Sequence, residues 1–202
     1  MKDLVAQAER YRVRMQRKKE IVNAAIERAN QEKGLLLIHT GNGKGKSSAA
    51  FGMIARALGH DMRVGVAQFI KGRSDTGEEA FLRYQPGVEW YVLGEGYTWD
   101  TQNLAQDIET AQRGWQLART MLQNETINLV VFDELTYPIC YGWLNLDQIL
   151  IDLKNRPAMQ HVIITGRNAP GTLCEIADTV TEFRNIKHAF YAGIKAQKGI
   201  DL

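Results

Sequence analysis

Apolar residues along this chain fall into short runs separated by polar turns, and the period changes from one run to the next. The stretches 35–40, 63–70, 88–93, 128–135, 161–166 and 179–183 are short and rich in branched or aromatic residues, so each reads as a strand. Between them, 47–58, 78–84, 104–124, 146–154 and 171–177 carry apolar positions at helical spacing. Gly59 and the pair Pro86-Gly87 stand where helices should stop. Polar, turn-rich segments at 71–79 and 94–103 read as loops. Strands alternating with helices imply parallel pairing through right-handed crossovers. LVVF and VIIT lack polar interruptions, as strands buried on both faces do. The expected fold is therefore α/β, a mostly parallel sheet with helices on both faces. Ligands of such sheets lie at the carboxyl ends of the strands.

Ahead of this pattern, residues 3–31 read as one helix without glycine or proline. Val5, Ala8, Tyr11, Met15, Ile21, Ala25 and Ala29 form an approximate apolar stripe, beside a basic cluster of Arg10, Arg12, Arg14, Arg17, Lys18 and Lys19. That cluster fits a solvated arm, or a surface for an anionic ligand, a nucleic acid or a partner subunit. The organisation expected is a helical arm at 1–33 and a nucleotide-binding domain at 34–202.

Composition narrows the picture modestly. The 202 residues suit one domain, and 45% hydrophobic with 24% charged residues is ordinary for a globular protein. A net charge of +2 offers no general attraction for nucleic acid. No apolar stretch reaches the length of a membrane span, and the first residues are charged where a secretion signal needs apolar ones. A cytoplasmic protein is expected, with Cys140 and Cys174 as reduced, buried thiols.

The candidate chemistry concentrates after the first strand. Thr40-Gly41-Asn42-Gly43-Lys44-Gly45-Lys46-Ser47-Ser48 places a glycine-rich turn and Lys-Ser between an apolar strand and a helix, the form of a phosphate-binding loop. Glycines let successive N–H groups face one anion, and the helix start adds its dipole. Lys46 supplies a mobile cation for the outer phosphates, and the Ser47 hydroxyl is suited to magnesium. The loop departs from the usual pattern in having Thr40 at the first glycine position and a second lysine, Lys44. The strand ending in Asp133-Glu134 would bring carboxylates to the same edge, to hold the metal or its water shell. Arg167, after the fifth strand, can reach a phosphate there. Tyr97 and Trp99 flank a threonine in a glycine-preceded loop, as a small satellite core or as a flat surface for a planar ligand. His39, His60, His161 and His188 show no metal-ligand spacing and read as packing or surface residues, and no Ser/His/Asp set stands out.

Together these segments resemble the ATP:corrinoid (cobalamin) adenosyltransferases of the phosphate-loop class. The resemblance rests on TGNGKGKSSAAFG (40–52), VAQFIKG (66–72), YTWDTQN (97–103), VVFDELTY (130–137), VIITGR (162–167) and KHAFYAGIKAQKGID (187–201). It implies a RecA-like fold and transfer of the 5′-deoxyadenosyl group of ATP to the Co(I) centre of cob(I)alamin or a related corrinoid, with release of triphosphate. By the same resemblance, residues 41–47 hold the triphosphate, Ser47 and Glu134 lie near Mg2+, and Tyr97 and Trp99 crowd the lower corrin face. A homodimer, a closing N-terminal helix and an electron donor such as a reduced flavoprotein are also implied. Ser47-Ser48 stand where the family usually has two threonines, and Tyr97 where phenylalanine is common. The rival readings are a RecA-like ATPase, a kinase, or a nucleotide-dependent nucleic-acid-binding module.

Overall fold

A computed structural model describes residues 2–70, 76–94 and 103–201, with side chains from residue 4 onward. The chain divides into two compact units, 1–33 and 34–202. The first is a single helix, α1 (Lys2–Arg28), three residues shorter at its end than its sequence pattern suggests. Val5, Tyr11, Ile21 and Ile26 are all more than half exposed on it, and its basic residues from Arg10 to Arg28 are exposed.

In the second unit the elements run β1 (Leu36–Thr40), α2 (Lys46–Leu58), β2 (Val64–Gln68), α3 (Gly77–Leu82), β3 (Val88–Val92), α4 (Leu104–Gln123), β4 (Leu129–Asp133), α5 (Thr136–Cys140), α6 (Leu146–Lys154), β5 (His161–Thr165), α7 (Gly171–Glu175) and β6 (Thr179–Glu182). A 3-10 turn, Ala189–Ala192, follows. The six strands form one sheet in the order β3-β2-β4-β5-β1-β6, and every pairing is parallel.

Side-chain alternation along the central strands divides the core into two layers. Val130, Phe132, Val162 and Ile164 pack with Ala111, Trp115, Ala118 and Leu122 of α4, Ile149 and Leu153 of α6, and Leu173 of α7. Their neighbours Leu129, Val131 and Ile163 face Ala50, Phe51, Ile54 and Ala57 of α2 and Leu82 of α3. Strands covered on both sides must be apolar at every position, which is why their runs look continuous. The edge strand β6 is exposed along its whole length.

Three departures from the sequence reading have local causes. Strand β4 ends at Asp133 because Glu134 adopts a left-handed conformation, φ 62°, which no strand tolerates. Helix α5 lies where the sequence reading assigned no element; its Pro138 falls in the first turn, where a missing N–H costs nothing. The cysteines are not buried: Cys140 is exposed and Cys174 half-buried, because both lie at the ends of short helices facing the 168–169 loop. Their thiols donate to the Asn168 and Ala169 carbonyls, and partial desolvation raises the pKa of each.

Candidate functional site

The carboxyl ends of β1, β4 and β5 sit side by side, and three loops leave the sheet there. The glycine loop, 40–48, begins at Thr40 and ends in α2. Helices α3, α4 and α6 are capped by the side chains of Thr76, Asn103 and Asn145, each accepting a backbone N–H. Helix α2 instead starts at Gly45, which lies at φ 106° and offers no side-chain cap. Its first turn thus presents N–H groups and a positive dipole end to the loop, an arrangement suited to an anion. Lys46 is buried, and its Nζ donates to the Gly43 carbonyl at 2.7 Å. Ser47 is half-buried, whereas Asn42, Lys44 and Ser48 are exposed.

The glycines at 41 and 43 serve a purpose that the sequence did not disclose. The chain leaving β6 runs against the loop: Phe183 N–H donates to Thr40 O at 2.8 Å, and Gly43 N–H to Phe183 O at 2.7 Å. A Cβ at Gly41 would lie 2.4 Å from Phe183 O, and one at Gly43 would lie 2.7 Å from Arg184 O. These two glycines admit a neighbouring backbone, and Gly41 and Gly45 take positive φ. Thr40, in place of the usual first glycine, accepts a hydrogen bond from Ala169 N at 3.1 Å through its hydroxyl. It therefore ties the glycine loop to the loop that carries Arg167.

Asn42 and Arg167 line one cleft of about 670 Å3, together with Phe183, Arg184, His188 and Tyr191. Glu182 also lines the cleft and is paired with Arg184 at 3.1 Å, so it is Arg167, beside the exposed rings of Phe190 and Tyr191, that favours an anionic ligand with a flat apolar part. Glu134 stands on its left-handed turn, half-buried, at the end of β4. Tyr97 and Trp99 lie outside the described residues.

A row of polar residues, to two of which, Gln68 and Thr165, sequence reasoning gave no role, spans the sheet just beneath this edge. Gln68, Asp133, Thr165 and His39 occupy one level of β2, β4, β5 and β1, and each is less than 5% exposed. Trp90 Nε1 donates to Gln68 Oε1 at 2.9 Å, and Gln68 Nε2 donates to Asp133 Oδ2 at 3.1 Å. The Thr165 hydroxyl donates to Asp133 Oδ1 at 2.7 Å and accepts from Glu134 N at 3.0 Å. Asp133 is thus a buried anchor, and the network fixes the backbone from which Glu134 projects. A signal was present in the sequence: LLIH, VAQ, VVFD and IIT are apolar strands whose last positions turn polar at the same depth.

His39 Nδ1 lies 3.2 Å from the Lys46 carbonyl, and its ring is 5.6 Å from that of Phe183. A carbonyl accepts, so Nδ1 carries the proton. Desolvation lowers the His39 pKa from 6.5, outweighing the opposing bond to Lys46. The folded state therefore binds fewer protons than the unfolded one, and its stability rises with pH. This contribution is complete above pH 6.5 and is lost as pH falls below it. The expected result is a thermal midpoint that declines below that pH, with a shallower decline in His39→Asn; parallel pH profiles would exclude His39 as a cause.

The family model for ATP:corrinoid adenosyltransferase BtuR/CobO/CobP matches residues 32–202, and a model for the N-terminal part of Cob(I)alamin adenosyltransferase matches 5–26. A corrinoid adenosyltransferase of Pseudomonas aeruginosa is 55% identical over 96% of both chains. One from Escherichia coli K12 is 49% identical over 96% of this chain and 98% of its own. One from a Sinorhizobium species is 41% identical over 95% and 91%. A family model spanning residues 32–202, with relatives 41–55% identical over more than nine-tenths of both chains, places this protein in the ATP:corrinoid adenosyltransferase family.

Proposed function

We propose that this chain transfers the 5′-deoxyadenosyl group of ATP to the Co(I) centre of a reduced corrinoid and releases triphosphate. The observation that carries this reading is the joining of the glycine loop to the Arg167 loop, Thr40 to Ala169, beside a cleft that both loops line. On this reading, residues 41–48 bind the triphosphate, with Lys46 against the oxygens that gain charge as the carbon–oxygen bond at the ribose 5′ position breaks. Arg167 neutralises a further phosphate oxygen. The nucleophile comes with the corrinoid substrate, so the protein needs no Ser, Cys or His nucleophile of its own. Its tasks are to orient the 5′ carbon, neutralise the leaving group and exclude water.

Magnesium fits the oxygen donors offered here. No cluster of three or more His, Cys, Asp or Glu occurs among the described residues. Mg2+ is commonly held by one or two protein oxygens plus phosphates and water. Ser47 and Glu134 would supply those oxygens, and the ion would add charge neutralisation at the phosphates. Thr165 and Asp133 would keep the Glu134 turn in place. Glu134→Gln should weaken the magnesium dependence of activity at an unchanged thermal midpoint. A magnesium titration identical to that of the wild type would remove Glu134 from the metal and leave Asp133 to be tested.

Tyr97 and Trp99 would cover the lower corrin face and keep its axial base away, which favours reduction to Co(I). Trp99→Ala should then spare ATP binding and depress activity most when a mild reductant must act on bound Co(II). Equal loss with prereduced Co(I) would show that the rings only pack the domain. A homodimer, working in the cytoplasm with a reduced flavoprotein or other electron donor, belongs to the same proposal. No helix among the described residues is long and apolar enough to cross a membrane.

The deciding assay supplies ATP and chemically reduced cobalamin. It should yield a light-sensitive adenosyl product and intact triphosphate. Orthophosphate, or a phosphorylated acceptor, would instead favour an ATPase or a kinase.

A further inference from the structure

The second lysine of the glycine loop is occupied by the chain's own carboxylate. Lys44 Nζ forms an ion pair with Asp201 Oδ1, across 157 residues of sequence. Lys44 is half exposed, and Asp201 is more covered than its partner. The carboxylate is held ready by its own turn. Asp201 Oδ2 accepts from Gln197 N at 3.0 Å, and Asp201 N donates to Gln197 O at 2.8 Å. Gly199, at φ 78°, lets the chain close this turn. The Lys44 ammonium, more than the Gln197 N–H, holds the Asp201 carboxyl below its ordinary pKa of 3.8, so it is charged at neutral pH. The same turn borders a hollow of about 320 Å3 shared with Gly77, Glu78 and Phe81 of α3.

We propose that Asp201 is an internal anion that a triphosphate displaces from Lys44, so that filling the glycine loop releases the 197–201 turn from it. The proposal rests on the reading of this loop as a triphosphate site. Both anions need the same ammonium. A triphosphate carries several negative charges and would sit beside the Asp201 carboxylate, so keeping both on Lys44 sets like charges against each other. An exposed ion pair is weak, and a multiply charged ligand also held by the helix start overcomes it at little expense. The exchange couples occupancy of the loop to the position of a distant segment, and makes Asp201 a brake on retention of the triphosphate product.

The test uses inorganic triphosphate with magnesium and the full chain. Backbone hydrogen exchange should accelerate at Gln197, Ile200 and Asp201 when triphosphate saturates the wild type. Calorimetry should show Asp201→Asn binding triphosphate roughly two- to fivefold more tightly, the size of an exposed ion pair. Asn keeps an acceptor for Gln197 N, so a general loosening of the turn is not the cause of a change. Tighter binding by Asp201→Asn with faster wild-type exchange supports the displacement. Unchanged or slower exchange despite measurable binding overturns it, as does equal or weaker binding by Asp201→Asn, which would make Asp201 a residue that positions Lys44 for the ligand. Failure of triphosphate to bind the wild type at all would overturn the loop assignment itself, and the displacement with it.

Discussion

Replacing Lys46 by alanine is expected to slow adenosyl transfer at saturating ATP by roughly ten- to a hundredfold. Lys46 is buried, and its Nζ is directed back into the loop, onto the Gly43 carbonyl. On the proposed reading, a cation at this point would lie where the triphosphate gains charge during the reaction, so its effect would belong to the transition state more than to ground-state binding. A charge-assisted hydrogen bond contributes about 1.5–3 kcal/mol. Since about 1.4 kcal/mol corresponds to tenfold in rate, the estimate follows. Single-turnover measurement with prereduced corrinoid separates this from reductant delivery, and a thermal melt checks that loss of the Gly43 contact has not loosened the fold. Unchanged turnover at saturating ATP would exclude Lys46 from the site.

Gly41→Ala is expected to damage stability and activity together. The new Cβ would meet Phe183 O at 2.4 Å and Phe183 N at 2.9 Å, both backbone atoms that no rotamer change can move. Position 41 also lies at φ 96°, a region that costs an L-residue about 1–2 kcal/mol. Overpacking adds about 1–3 kcal/mol. The strand edge must then move, and with it the bonds from Phe183 N to Thr40 O and from Gly43 N to Phe183 O. A melting temperature lower by on the order of 10 °C follows for a domain of this size. Gly52→Ala is the control, because its Cβ meets nothing within 4 Å and alanine is the better helix former. Equal melting temperatures for the two variants would refute the account of why position 41 is glycine.

Much of the fold was legible because burial on two faces leaves a mark on every residue of a strand. All six strands and the helices α2, α3, α4, α6 and α7 appear near their expected positions. Errors gather at their ends, where single residues such as Glu134 and Ile70 take positive φ without a glycine to announce it. Helix α5 was missed because its five residues are too few to show a helical period. His39 was read as a packing or surface residue, and Gln68 and Thr165 were given no role of their own. Hydrogen bonds between neighbouring strands give those residues their meaning, and a one-dimensional pattern does not show which strands are neighbours.

By itself, the sequence determined the order of strands and helices, the glycine loop and its Lys-Ser, and the combination of segments that the family shares. These are local or cumulative properties: period, turn chemistry and residue order survive without knowledge of contacts. The tertiary structure decided the rest. It showed that Gly41 and Gly43 make room for the chain at Phe183 and Arg184, and that Thr40 binds the Arg167 loop. It also joined Lys44 to Asp201 and placed Asp133 under Glu134 as a hydrogen-bonded anchor. Each of these rests on contacts between residues far apart in the chain. Their geometry is set by strand order and register, and these emerge when the two apolar layers close around the sheet.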